Sequence, residues 1–113
     1  MFKVVFHISD LEKWPALLSN VENLLRAIEE NGVEDHSLVI IVNGPAVKGY
    51  LESEYSARIW ELQRQGAHFD ACNNSLSGQK IAKERLPECV EIVPAAVFAL
   101  VEYQQKGYAY IKP

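Results

Sequence analysis

The chain has 113 residues, 49% of them hydrophobic and 23% charged, which is typical of one globular domain with a single core. Eleven lysines and arginines stand against fifteen aspartates and glutamates, so the formal net charge is −4. No basic stripe collects the cations on one element, which argues against a surface for nucleic-acid phosphates or for an anionic membrane.

The chain begins with a predicted strand, Phe2–Ile8, followed by one long amphipathic helix. His7 and Asp10 interrupt the apolar start too early for a signal peptide or a spanning helix, so we expect a cytoplasmic protein. Free thiols are the usual state of cysteines in that compartment. The apolar residues of the helix recur at spacings of three and four: Leu11, Trp14, Leu18, Val21, Leu25 and Ile28, widened by Leu17 and Leu24.

Four further strands are predicted along the chain. The second, Ser37–Asn43, is apolar on consecutive residues like the first, so we expect these two to form the centre of the sheet, buried on both faces. The third, Ala67–Cys72, alternates apolar and polar residues, which predicts a place nearer an edge or an interface. The remaining two are Val90–Pro94 and Tyr108–Lys112.

Three more helices separate these strands. One runs from about residue 54 to 65, with Tyr55, Ile59 and Leu62 on one face; a second starts near Ser75. A third begins at Pro94 and shows Val97, Leu100 and Val101 before Gly107. The alternation of strands and helices predicts a single α/β domain over residues 1–113 with a mainly parallel sheet.

Ligands of open parallel sheets bind in the crevice at the carboxyl ends of the strands. His7 is by itself most simply a core or rim histidine, and Asn43 a turn former. Their convergence with Cys72 at one sheet edge is what indicates a site. The predicted strand ends supply His7 and Ser9, then Asn43-Gly44-Pro45, then Cys72-Asn73-Asn74-Ser75, and Pro94-Ala95.

Cys72 ends a strand just before a polar turn that opens a helix. The unpaired N–H groups and the dipole of a helix start favour the thiolate, which is the nucleophilic form. Cys89 precedes a strand, so we expect it at the opposite end of the sheet, about 15 Å away at roughly 3.3 Å per residue. A disulfide requires Cα atoms within about 7 Å, so Cys89 is predicted to be a packing residue.

The sequence shows no motif for metal binding, phosphate binding or a nucleophilic serine. The three histidines show no metal-binding spacing, so neither a metal nor a cofactor is expected. The glycines and lysine of residues 43–49 match no phosphate-binding loop, and Gly-x-Ser-x-Gly is absent.

Four segments together resemble the DsrE/DsrF-like family over nearly the whole chain. The resemblance implies a three-layer α/β/α sandwich with five mostly parallel strands, assembled as homotrimers or hexamers. Some members of the wider family are sulfur-relay proteins that carry a persulfide on a cysteine, and Cys72 matches that position. The segments are Ser53-Glu54-Tyr55-Ser56, Ala71-Cys72-Asn73-Asn74-Ser75-Leu76, Leu86-Pro87 to Pro94-Ala95, and Gly107 to Pro113.

With this resemblance, we expect Cys72 to take a sulfane sulfur from a donor protein, to hold it as a persulfide and to pass it to an acceptor thiol. Backbone N–H groups at the Asn73–Ser75 turn would stabilise the anionic sulfur, and the Asn73 or Asn74 amides and His7 would add hydrogen bonds. Tyr55 is a further candidate neighbour, on a helix face equally suited to the core or a subunit interface.

Two other readings stay open at this stage. The first is an oligomeric, non-catalytic module that binds a small ligand or protein at the strand-end crevice, with Cys72 as a packing residue that reacts slowly in the folded state. Its support is the surplus of apolar residues for one small core: Trp60, Phe98, Tyr103 and the segment 108–111. The second is a flavodoxin-like module, which would keep a nucleotide or chromophore through purification.

Overall fold

Five parallel strands form one sheet in the computed structural model, which describes all residues from Met1 to Pro113. Their spatial order is β4-β3-β2-β1-β5. This confirms the predicted α/β class and the parallel sheet. The strands are β1 (Phe2–Ile8), β2 (His36–Val42), β3 (Ala67–Cys72), β4 (Glu91–Val93) and β5 (Ala109–Ile111).

Four α-helices connect the strands and cover the sheet. None of them combines the length and the apolar character that crossing a bilayer demands. Short 3₁₀ segments occupy residues Leu11–Lys13, Gly44–Leu51 and Lys83–Arg85. The α-helices are α1 (Trp14–Glu30), α2 (Ser53–Arg64), α3 (Asn73–Gly78) and α4 (Ala96–Gln105).

The larger part of the core lies on one face of the sheet, under α1 and α2. Alternate strand residues point into it, because successive side chains of a strand point to opposite faces. Phe6, Ile40 and Phe69 are examples from three neighbouring strands. The buried side chains of α1 that meet them are Trp14, Leu17, Leu18, Val21, Leu25 and Ile28.

The other face of the sheet is covered by α4. Here a smaller cluster joins Val5, Val39, Ile41 and Cys72 to residues of that helix. The sheet therefore has helices on both faces, which is the three-layer arrangement expected of this chain. Polar residues also lie on this face of the sheet, among them His68 and Asp70, which give β3 its alternation.

The predicted apolar face of the last helix was wrong in part. Leu100 is buried, but Val97 and Val101 are exposed. The helix instead packs through the small side chains of Ala96 and Ala99, which allow it to lie close to the sheet. It also begins at residue 96 rather than at the predicted proline, because residue 95 is still extended.

The strand boundaries differ by one or two residues from those predicted. The second strand runs from His36 to Val42, one position earlier than expected, and the fourth and fifth are only three residues long. Pro94 cannot donate to a ladder, which fits its place outside β4. The central strand is β2, and β1 and β3 lie on either side of it, each one strand away from an edge. The prediction that the third strand lies nearer an edge than the first was therefore wrong.

Candidate functional site

Cys72 is the last residue of β3 and is 5% exposed. Its position in the strand directs it to the α4 face of the sheet, where it belongs to the smaller core cluster. Asn43 follows the residue of β2 that is paired with Ala71, so it lies beside Cys72 at the same sheet edge. The start of α4 approaches from the other side, since the backbone N–H of Ala96 donates to Sγ at 3.4 Å.

Several donors face the Cys72 sulfur. Burial raises the pKa of this thiol, but hydrogen bonds from the Ser75 hydroxyl and from the backbone amides of Ala96, Ser75 and Asn74 outweigh burial, and the net pKa is lowered. Hydrogen bonds to an ionised group are stronger than those to a neutral one, so the donors favour the thiolate. Donors that stabilise a thiolate are a feature of the environments in which reactive cysteines are found.

Ser75 connects the thiol to the loop after β2. The backbone N–H of Gly44 donates to Ser75 Oγ at 2.7 Å, which leaves the hydroxyl hydrogen of Ser75 free to point at Cys72. Gly44 has a φ of +58°, and a Cβ there would lie 3.1 Å from the carbonyl oxygen of Ser9. Glycine at this position thus fixes the loop that orients the serine.

Replacing Ser75 by alanine is expected to raise the pKa of Cys72 and to slow its alkylation at neutral pH about tenfold, since a hydrogen bond to a charged group is worth about 1.5 kcal/mol or more. The measurement is the rate of iodoacetamide labelling against pH, with Cys89 replaced by serine. Ser77→Ala is the matched control, because Ser77 is an exposed serine of the same helix. A labelling profile identical to that of the parent would contradict the role given to the Ser75 hydroxyl.

His7 and Asn43 lie on the same face and at the same edge as Cys72, but they pair with each other. His7 Nε2 lies 2.9 Å from Asn43 Oδ1, and Nδ1 lies 2.6 Å from the Tyr110 hydroxyl. The amide oxygen only accepts, so Nε2 carries the hydrogen and Nδ1 accepts from Tyr110. A neutral imidazole satisfies both contacts, and no hydrogen bond joins the ring to Cys72.

The asparagines after Cys72 contribute through the backbone. Asn73 is half-buried and Asn74 is exposed, and neither side-chain amide makes a hydrogen bond to another protein group. The Asn74 contribution to the thiol is its backbone N–H. The predicted support from the turn therefore appears in the main chain rather than in the asparagine amides.

Tyr55 and Cys89 lie away from this edge of the α4 face. The Tyr55 ring stacks on Trp14 with centroids 5.5 Å apart; Trp14 belongs to the larger core under α1 and α2, and Tyr55 packs against that core. Cys89 packs against the same larger core and burial raises its pKa. Both cysteines are free thiols, as expected.

A polar cluster missed in the sequence lies on the same face as Cys72. Asp70 is 1% exposed, and its Oδ1 lies 2.8 Å from Nε2 of His68, which also lies 3.3 Å from Oε2 of Glu91. Burial raises the pKa of Asp70 to about 6; the charge of His68 lowers it, and that of Glu91 raises it further. The only sequence signal was the alternation of β3, because the pairing of Asp70 with Glu91 depends on the strand register.

Comparison with known families gives one match over most of the chain. The sequence model of a family described as "DsrE/DsrF-like family" matches residues 19–113, which include Cys72 and its donors. No protein with a curated description matches this chain.

Solved structures with the same fold cover the chain from end to end. The protein of unknown function MTH1491 from Methanobacterium thermoautotrophicum is 34% identical, with both chains covered completely and a TM-score of 0.88. The ychN protein from E. coli is 16% identical over 100% of both chains, with a TM-score of 0.78. BT1422 from Bacteroides thetaiotaomicron, of unknown function, is 16% identical over 98% of this chain and 94% of its own, with a TM-score of 0.76. The two matches at 16% identity show the fold alone.

Proposed function

Because the chain belongs to the DsrE/DsrF-like family, we propose that it is a sulfur carrier that holds a persulfide on Cys72 and relays the sulfur to a partner thiol. The observation that carries this proposal is the set of donors on the Cys72 sulfur, which come from the start of α3 and the start of α4. Family membership supplies the class of chemistry, and the donors supply a reason for this particular cysteine.

The transfer is a pair of nucleophilic displacements at sulfur. The Cys72 thiolate attacks the outer sulfur of a donor persulfide; a new S–S bond forms at Sγ, the S–S bond of the donor breaks, and the donor thiolate leaves with the electron pair. An acceptor thiolate then attacks the outer sulfur on Cys72, and Sγ leaves as a thiolate. No external oxidant or reductant is needed, because each S–S bond formed replaces one that is broken.

The site contributes stabilisation of anionic sulfur in both steps. Sγ is a thiolate before loading and again after release, and the amides of Asn74, Ser75 and Ala96 stabilise negative charge on it. These amides are held by the backbone, so they need no reorganisation during transfer. At 5% exposure, Cys72 is open only to small donors or to a partner that reaches into the strand-end crevice.

We further propose that the protein works as a homotrimer or hexamer with donor and acceptor proteins in the cytoplasm. Apolar side chains that the fold leaves exposed offer contact area for such assembly. They include Val97, Phe98 and Val101 on α4 and Trp60 on α2.

Intact mass spectrometry of the reduced protein, before and after treatment with a small persulfide donor, tests the carrier function. We expect a gain of one sulfur atom, mapped by peptide analysis to Cys72 and abolished in Cys72→Ser. Cys89→Ser is the matched control and is expected to load like the parent protein. The carrier function is wrong if the folded parent gains no sulfur, or if the sulfur maps to Cys89.

A non-catalytic binding module is the second candidate, and one observation favours it. Cys72 packs in the smaller core cluster beside Val39 and Leu100, as an inert packing cysteine would. That function predicts slow alkylation in the folded state and no sulfur loading, so the same experiment separates the two candidates.

A further inference from the structure

Three potential metal ligands converge on the α4 face, next to the sheet edge that carries Cys72. They are Nε2 of His68, a carboxylate oxygen of Asp70 and one of Glu91, and all lie within 4.8 Å of one another. His68 and Asp70 are two residues apart on β3 and so share a face, and Glu91 of β4 is paired with Asp70. The register of two strands thus assembles the group.

The distances from His68 Nε2 to the two carboxylates are close to those between neighbouring ligands around one cation. With metal–ligand bonds of about 2.1 Å, adjacent ligands in octahedral or tetrahedral geometry lie about 3.0 to 3.4 Å apart. The nitrogen of His68 lies 2.8 Å from Asp70 Oδ1 and 3.3 Å from Glu91 Oε2. The Glu91 side chain is 70% exposed, so its carboxylate is free to swing toward a cation and to admit one from solvent.

Asp70 supplies the independent sign of a ligand. Its Oδ1 is completely buried and makes no hydrogen bond of good geometry, although Nε2 of His68 lies 2.8 Å away. A buried carboxylate oxygen without a partner is costly and rare in a folded protein. It is directed toward the nitrogen that Glu91 also approaches.

An ordinary ion pair explains the arrangement less well than a cation does. Nε2 carries at most one hydrogen, yet two carboxylates approach this one atom. A divalent cation between the three groups would accept the lone pair of a neutral imidazole and would neutralise both carboxylates. It would also offset the repulsion between Asp70 and Glu91, which contributes to the raised pKa of Asp70.

We propose that His68, Asp70 and Glu91 form a site for a divalent transition-metal cation of the Zn²⁺ type. One imidazole with two carboxylates suits borderline cations such as Zn²⁺ and Co²⁺, and the remaining coordination positions are filled by water. The cation joins β3 to the three-residue edge strand β4, which leads through Pro94 into the start of α4. The site is separate from the sulfur-carrier function, since none of its ligands is the thiol.

The test is calorimetric titration of the full chain, freed of metal by chelation, with zinc chloride. We expect one equivalent of zinc to bind per chain. Glu91→Gln and His68→Gln are each expected to weaken the zinc affinity at least tenfold, because even the loss of a group that only supports a metal ligand typically weakens the affinity about tenfold or more. Glu91 is largely exposed, so Glu91→Gln is expected to fold like the parent. Glu84→Gln, an exposed carboxylate elsewhere, is the matched control and is expected to bind like the parent.

Cys72→Ser separates this site from a thiol site. We expect Cys72→Ser to bind zinc with unchanged stoichiometry, and the cobalt form of the parent to lack a sulfur-to-cobalt charge-transfer band. The proposal is overturned if the parent binds no stoichiometric metal, if both ligand variants bind like the parent, or if binding is lost only with Cys72. In the first case His68 forms an ion pair with the two carboxylates and nothing more.

Discussion

Gly49→Ala is expected to destabilise the protein by about 3 kcal/mol or more, at the upper end of the usual cost of overpacking a core. A Cβ at Gly49 would lie 1.9 Å from Trp14 Nε1 and 2.4 Å from two further ring atoms. The ring cannot retreat, because Nε1 donates to the carbonyl oxygen of Ala46 at 2.7 Å and Tyr50 and Tyr55 pack on it. Either the hydrogen bond or the packing of the indole must be given up.

Urea unfolding of the parent and the variant measures this loss. Gly78→Ala is the matched control: Gly78 ends α3 and an added Cβ would meet nothing within 4 Å. Alanine is a better helix former than glycine, so this control is expected to be neutral or slightly stabilising. If Gly49→Ala unfolds at the same urea concentration as the parent, the loop of residues 44–51 adapts to the extra methyl and the close approach to Trp14 is not required.

Asp70→Asn is expected to stabilise the metal-free protein at pH 7 by up to about 3 kcal/mol and to remove one component of its pH dependence. Burial raises the pKa of this carboxyl from 3.8 to about 6. Between those two pH values the native state keeps a proton that the unfolded state has released, so the free energy of unfolding falls as the pH rises. The native preference for the protonated form is fully present below pH 4 and is lost above about pH 6.

Denaturant unfolding in the presence of a chelator, at a series of pH values from 4 to 7.5, follows this effect. The difference between parent and Asp70→Asn reports the titration of this carboxyl together with its interactions with His68 and Glu91. We expect the two proteins to be about equally stable near pH 4 and to diverge as the pH rises, with the variant more stable. A constant difference over the whole range would show that Asp70 does not titrate between pH 4 and 6.

The strands and helices could be predicted because their residues carry local signals. The apolar run of residues 38–42 predicts the central strand, and the spacing from Trp14 to Ile28 predicts α1. Cys72 could be selected as a site residue because it ends a strand before a polar turn. Its hydrogen-bond partner Ala96 could not, because the approach of α4 depends on how the helix packs over the sheet.

Other features of the site depend on register and on layer, which local patterns do not carry. Glu91 is adjacent to Asp70 only through the pairing of β3 with β4. Tyr55 and Cys72 were both predicted to belong to the site, yet they lie on opposite faces of the sheet because α2 covers the face opposite α4. The exposure of Val97 has the same origin, since a helix that packs through alanines leaves its larger apolar residues outside.

Both outer strands of the sheet are only three residues long, and this bears on aggregation. An edge strand presents unpaired N–H and C=O groups that template pairing with another chain, and short edge strands offer few of them. Glu91 adds a charge at the β4 edge, and Pro94, which has no N–H, follows directly after the strand. The longer apolar strands β1 and β2 are flanked on both sides, so the protein is protected against fibril-like growth by sheet extension.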